Sequence, residues 1–197
     1  MMTPGKHKVI DNFLDKEYFD RLVKTFTYEG HENLNSIMPW YFTHKINKTH
    51  DYRNTNLFYL VHIIYSENEP RSEFYGDLVP LLSKLGYFTN TYRSTPHLFA
   101  GESEREKNVP SGLIRIKANL YPNTETLQEH PMHTDYGFPH NAAILYLNTC
   151  NGYTKLEDGT KIDSVANRLL LFDASEKHCS TTTTNDIARF NININFY

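Results

Sequence analysis

The sequence predicts a mainly β domain in which amino-terminal helices back a sandwich or barrel with a polar interior. Three observations carry this. Past residue 112 the chain breaks into short runs rich in β-branched and aromatic residues, divided by turn-forming clusters. Two of these runs alternate almost without error. Phe190, Ile192, Ile194 and Phe196 share one face and Arg189, Asn191, Asn193 and Asn195 the other; Ile114, Ile116, Ala118 and Leu120 lie opposite Arg115, Lys117, Asn119 and Tyr121. A solvent-facing edge would draw on Lys, Glu and Thr, whereas Arg followed by Asn at every second position suits a lined cavity. Finally, 197 residues with 14 Tyr, 12 Phe and 39% hydrophobic content are enough for one buried core and too aromatic for a disordered chain.

The elements follow in order. Val9–Ile10 is a short apolar entry. Asp15 caps a helix whose apolar face runs through Phe19, Leu22, Val23 and Phe26, with Leu14 placed to staple onto Phe19 and Gly30 as its end. Ser36–Asn47 and Leu57–Tyr65 read as strands. Phe74, Leu78, Leu81, Leu82 and Leu85 recur at helical spacing from Ser72 to Leu85, with Pro80 as a kink and Gly86 as the stop. Thr89–Gly112, polar and with a charge cluster at Glu102–Lys107, reads as a long loop of the kind that forms lids. Tyr92, Arg93 and Phe99 are its candidate selectivity residues. Then come the strands Leu113–Tyr121, Asn141–Asn148, Tyr153–Leu156, Thr160–Val165, Arg168–Ala174 and Ala188–Tyr197, with Asp158-Gly159 as a hairpin turn. The expected division is one domain over 1–197, with 1–112 as support and lid and 113–197 as the barrel core.

Composition excludes several function classes. A net charge of −3 gives no bulk attraction to nucleic acid or acidic lipid. Apolar runs fall far short of the roughly 20 residues that cross a bilayer. The start has no apolar stretch of the kind a secretory signal needs, and Cys150 and Cys179 allow at most one bridge, so a reducing cytoplasm is the expected location. Oligomeric state is not legible.

The chemistry sits between the alternating strands, at His133-Thr134-Asp135 and at His178, in the loop before the last strand. On a strand, residues 133 and 135 point to the same side, and His178 would close a third. Two His and one carboxylate with three open positions form the facial triad that holds Fe(II) in non-haem oxygenases; the three ligands alone leave zinc open as well. Arg189 adds a bidentate cation suited to a carboxylate in the same cavity, and Tyr121 and Tyr146 fall on inward faces. His130 and His140 flank the triad and are left outside the metal set. His44, His50, His62 and His97 have no telling partner, and Cys179 reads as packing. For Arg115 and Lys117 two placements stand: the cavity mouth, or an exposed edge.

On His133-Thr134-Asp135, His178 and Arg189, in that order and spacing, the chain resembles the Fe(II)/2-oxoglutarate-dependent oxygenases, nearest to the prolyl 4-hydroxylase-like branch. Asn119-Leu120-Tyr121-Pro122, Tyr146-Leu147-Asn148 and Asn167–Phe172 support the likeness, and Val9–Leu14 and Pro39-Trp40 are similar to small phage-type and bacterial members. The resemblance implies a double-stranded β-helix, a jelly-roll or cupin-like barrel backed by the amino-terminal helices. It implies that His133, Asp135 and His178 bind Fe(II) and that Arg189 pairs with the distal carboxylate of 2-oxoglutarate, helped by Tyr146 or Tyr121, with Asn119 near the chelating end. O2 is the oxidant and succinate and CO2 are products; ascorbate belongs to the same implied set. Because Asp135 is retained where halogenating relatives carry a small residue, the implied reaction is hydroxylation, of a peptidyl proline or a small molecule. Two alternatives remain: an inactive jelly-roll binding module, and a nucleic-acid demethylase of the same superfamily, which the acidic balance disfavours.

Overall fold

The computed structural model describes residues 7–27, 38–43, 57–90 and 112–197. The helix α1 (Lys16–Phe26) starts as its sequence dictates. The Asp15 carboxylate accepts from the Tyr18 amide at 3.0 Å, and Leu14 and Phe19 are both buried, as a staple requires. It stops earlier than expected. The Thr27 amide and hydroxyl both return to the Val23 carbonyl, at 2.9 and 2.7 Å, so the cap is Thr27; Gly30 lies outside the described residues.

The second helix, α2 (Tyr75–Asn90), contains Pro80 and runs through Gly86, where the sequence suggested a stop. An isolated glycine costs about 1 kcal/mol in a helix, less than the burial of Leu78, Leu81, Leu82 and Leu85 returns. Tyr18 from α1 meets this helix one residue after the proline. Its hydroxyl donates to the Asp77 carbonyl at 2.7 Å and accepts from the Leu81 amide at 3.2 Å, standing between groups that would otherwise bond each other.

The strands are β1 (His7–Ile10), β2 (Tyr41–Thr43), β3 (Tyr59–Ser66), β4 (Glu69–Pro70), β5 (Leu113–Pro122), β6 (Asn141–Tyr146), β7 (Tyr153–Leu156), β8 (Lys161–Asp163), β9 (Leu169–Asp173), β10 (His178–Ser180) and β11 (Ala188–Phe196). The major sheet is antiparallel in the order β1-β9-β6-β11-β5-β3-β2, with β4 on β3. Opposite it lies a smaller sheet, β10-β7-β8. Isolated bridges from Glu129 to Thr181 and from His133 to His178 add an irregular fourth lane, so two sheets face each other as a jelly roll. Gly159, at φ +88, makes the expected β7–β8 hairpin.

Alternation sorts the two faces of the major sheet. Ile116, Ala118, Phe190, Ile192, Ile194 and Phe196 join the helices in one apolar core. The opposite face looks into the barrel, where Ala142, Ile144, Tyr146, Leu170, Phe172 and Ile162 form a second cluster. Every residue of β11 is buried, which rejects the exposed-edge alternative for its Asn row. The segment between β1 and α1 is fastened to the β8–β9 turn. Asn167, at φ +62, accepts from the Leu14 amide at 2.8 Å and donates to its carbonyl at 2.7 Å, and Arg168 grips Asp11 with two hydrogen bonds.

Three further differences concern extent. Only Tyr41–Thr43 of the expected 36–47 strand is strand; residues 38–40 are not, and 36–37 and 44–47 lie outside the described residues. His178, placed by sequence in a loop, opens β10. The expected lid begins later, since 89–90 belong to α2; residues 91–111, with Tyr92, Arg93, His97, Phe99 and the charge cluster, lie outside the described residues, as do His44 and His50.

Candidate metal centre

His133 and His178 are far apart in sequence and adjacent across the smaller sheet. Each amide donates to the other's carbonyl at 2.9 Å, so a closed hydrogen-bonded pair fixes both Cα positions. The segment around His133 is not a regular strand, contrary to expectation; this bridge supplies the alignment instead. Both rings are set in the same way. Nδ1 of His133 faces the Pro131 carbonyl at 3.2 Å, and Nδ1 of His178 the Glu176 carbonyl at 3.1 Å. A carbonyl only accepts, so each Nδ1 carries the proton and each Nε2 presents a lone pair inward. Burial pushes the His133 imidazole down to about 3, with the nearby His178 adding to it, and burial also lowers His178. Both are neutral donors at ordinary pH.

Asp135 completes the cluster. Its two oxygens lie 4.0 Å from His133 Nε2 and 3.9 Å from His178 Nε2, and the three ligand atoms all fall within 4.8 Å of one another. The carboxylate is held on both oxygens: Arg115 donates to Oδ1 at 2.9 Å, and Asn195 and Asn193 donate to Oδ2 at 2.8 and 3.2 Å. Burial works against the charged form, but the Arg115 and then the Lys117 charge oppose it, and the carboxyl is held well below its ordinary value. Two neutral imidazoles and one carboxylate on one side of a point suit an octahedral ion with open positions.

At the other end of the barrel lies Arg189, a guanidinium with no exposed surface. Its Nη2 donates to Thr154 Oγ1 at 3.0 Å, and that oxygen also accepts from the Tyr146 hydroxyl at 2.8 Å. The rings of Tyr121 and Tyr146 each stand 5.4 Å from its carbon centre. Nε has no hydrogen-bond partner, and among the described residues no carboxylate pairs with it. Gly152 makes room, because a Cβ there would come 2.6 Å from the Arg189 side chain and 2.7 Å from the Thr182 carbonyl. A buried cation in this state is incomplete without an anion.

The register of β5 against β11 connects the two ends. Arg115 pairs with Asn195, Lys117 with Asn193, Asn119 with Asn191 and Tyr121 with Arg189. This is a ladder of inward polar pairs, with the His–Asp–His cluster at the first two rungs and the unpaired guanidinium at the last. Asn119 donates to Asn191 Oδ1 at 2.9 Å and leaves its own Oδ1 without a partner.

The structure thus brings His133, Asp135 and His178 together, and places Arg189, Tyr121 and Asn119 on the same inward row of the β5–β11 pair, with Tyr146 against Arg189. His130 and His140 are buried outside the ligand cluster; burial, with Arg189 next, lowers His130 to about 4. His62 is a satisfied packing histidine, bonded to the Pro39 carbonyl and the Ser72 hydroxyl at 2.7 Å each. Cys150 and Cys179 are free and buried. For Arg115 the cavity placement holds. Sequence reads Asn193 and Asn195 only as part of a cavity-lining row, and does not single out Thr154 or Gly152. The Asn row was the available signal for the first two; for Thr154 and Gly152 the sequence held none.

No family model matches the sequence, and no curated protein matches it. Solved structures do. A prolyl-4-hydroxylase from Pseudomonas putida is 17% identical, with a TM-score of 0.59 over 96% of this chain and 91% of that one. A 2OG-Fe(II) oxygenase family oxidoreductase from Burkholderia pseudomallei gives 9% and 0.62, over 96% and 83%. A prolyl hydroxylase from Trichoplax adhaerens, in complex with a hypoxia inducible factor peptide fragment, gives 14% and 0.58, over 98% and 84%. At these identities the likeness is one of fold: the chain is built as a jelly-roll double-stranded β-helix, the architecture of these prolyl hydroxylase and 2OG-Fe(II) oxygenase structures.

Proposed function

We propose that the protein is an Fe(II)- and 2-oxoglutarate-dependent dioxygenase that hydroxylates a peptide or small molecule with release of succinate and CO2. The observation that carries this reading is the pairing, along one inward row of the barrel, of a His–Asp–His cluster with a fully buried arginine that lacks an anion. A binding module for a simple carboxylate would need only the arginine, and a zinc site only the cluster. A molecule with a chelating group at one end and a carboxylate at the other uses both. The fold neighbours include enzymes of this class, one of them bound to a peptide.

The residues present fit the implied groups. His133 and His178 offer Nε2 lone pairs in a fixed tautomer, and Asp135 stays ionised between Arg115 and two Asn amides, so all three are ready without a proton having to leave. Bound ferrous iron and 2-oxoglutarate would supply the oxidising chemistry with O2. The chain's part is placement: Arg189 and the Thr154–Tyr146 pair orient the distal carboxylate, and the apolar wall of Ala142, Ile144, Leu170 and Phe172 keeps water from the cavity.

Anaerobic titration of metal-free protein with Fe(II) and then 2-oxoglutarate tests this. A visible charge-transfer band should appear in the parent protein and be absent in folded His133→Ala. A well-folded parent that gives no band would overturn the reading.

A further inference from the structure

Lys117 is a further cation on the inward side of the barrel, and among the described residues no carboxylate pairs with it directly. It stands on the inward row of β5 between Arg115 and Asn119, and across from it Asn193 donates to Asp135. Ile116 and Ala118, its neighbours in sequence, are fully buried on the opposite face, so the alternation turns the lysine toward the barrel. Its ammonium lies 5.7 Å from the Tyr59 ring centre, and no hydrogen bond or ion pair to it is found among the described residues. Asp135 acts on it only through space, since its oxygens accept from Arg115 and the two asparagines and no bond joins it to the lysine.

A charge inventory makes the gap specific. Arg115 is answered by Asp135. On the proposed reading a ferrous ion is answered by the 2-oxoglutarate dianion, so Arg189 and Lys117 together leave the loaded cavity with a surplus of positive charge. Burial lowers the Lys117 ammonium to about 8, with Arg115 next and Asp135 opposing, in keeping with a charge that lacks a direct partner. An anion brought by the substrate would remove the strain. The position also limits the substrate. Lys117 is one rung, about 7 Å along the strand, from Arg115, and Arg115 touches a metal ligand. A charge recognised there lies within one small molecule of the reacting carbon. An internal peptidyl proline has no charge of its own, whereas a free amino acid or another small organic acid has one.

We infer that Lys117 is a substrate-positioning residue, binding a carboxylate of the primary substrate beside the metal site, and that the substrate is therefore a small carboxylic acid. This rests on the oxygenase reading of the site. The test uses anaerobic protein loaded with Fe(II) and 2-oxoglutarate, whose chelate band reports an intact site. Free L-amino acids and their primary amides are the probes, read by perturbation of the band and by titration calorimetry. At least one acid should bind about tenfold or more tightly than its amide. Lys117→Met should form the chelate band and lose that preference, and Lys117→Arg should keep part of it. Equal binding of acids and amides, binding by none of the acids, or a preference that survives in Lys117→Met would overturn the inference. So would a Lys117→Met protein that binds 2-oxoglutarate as poorly as Arg189→Met, since the lysine would then serve the cosubstrate. If no chelate band forms in the parent, the oxygenase reading itself falls, and the inference with it.

Discussion

Arg189 shows how a single side chain is placed for function against stability. A guanidinium with no exposed surface, two hydrogen bonds and an idle Nε is a cost that a folded protein would not carry for packing alone. Arg189→Met should therefore weaken 2-oxoglutarate binding by about 10- to 100-fold, the loss of a charge-assisted contact, while raising or preserving the melting temperature of the metal-free protein. Cosubstrate titrations of the chelate band and calorimetry of the free protein check the two halves separately. The arginine itself was legible, because its strand alternates and a cation in an Asn row is conspicuous. Arg115 was less so. Its neighbours Ile114 and Ile116 suit an exposed edge equally well, and its partner Asp135 reaches it only once the barrel closes. Thr154 lies further from legibility, since a threonine in a short strand announces nothing until Arg189 and Tyr146 are seen to share its oxygen.

At the scale of elements, the proline turn inside α2 is instructive. Pro80 removes a donor from the helix, and the Tyr18 hydroxyl, inserted between Asp77 and Leu81, ties the altered turn to α1. Tyr18→Phe leaves the Leu81 amide and the Asp77 carbonyl to find each other across a gap shaped for an oxygen. The expected loss is about 1–2 kcal/mol in urea unfolding, with the chelate band unaffected, because the described helix residues pack in the core on the outer face of the major sheet. Elements with a strong period were readable: β5 and β11 by twos, α1 by its apolar stripe and Asp15. Those ruled by tertiary contact were not. α2 passes Gly86 because four leucines are buried on it, and β10 has only three residues, too few for any pattern, so His178 read as loop. The first ligand pair was visible as a motif, but the strand expected to align it is replaced by a bridge to a partner far away in sequence.

For the whole molecule, buried neutral histidines set the response to acid. His130 and His133 titrate in the folded chain at about 4 and about 3, against 6.5 as ordinary imidazoles, and His178 is lowered as well. The unfolded chain therefore takes up protons first, and stability of the metal-free protein should fall as pH drops below 6.5 toward 4, by several kcal/mol in order of magnitude. Asp135 acts in a lower window. Its carboxyl is depressed from 3.8, so its contribution is complete above that value and is lost only as pH falls through the lower folded value. Melting temperatures of metal-free and metal-loaded protein across this range test the order, and bound metal should shift the loss toward lower pH by competing with protons for the same nitrogens. No helix among the described residues is long and apolar enough to cross a membrane. One joint in this architecture has a kinetic side. The reciprocal bonds between His133 and His178 are the seam where the irregular lane meets the smaller sheet, so an ion held by both imidazoles would clamp that seam from the side-chain direction. Opening the seam would then require releasing the ion. Deuterium uptake at just those two amides should slow on metal loading, which makes the seam a built-in reporter of occupancy that needs no turnover to read.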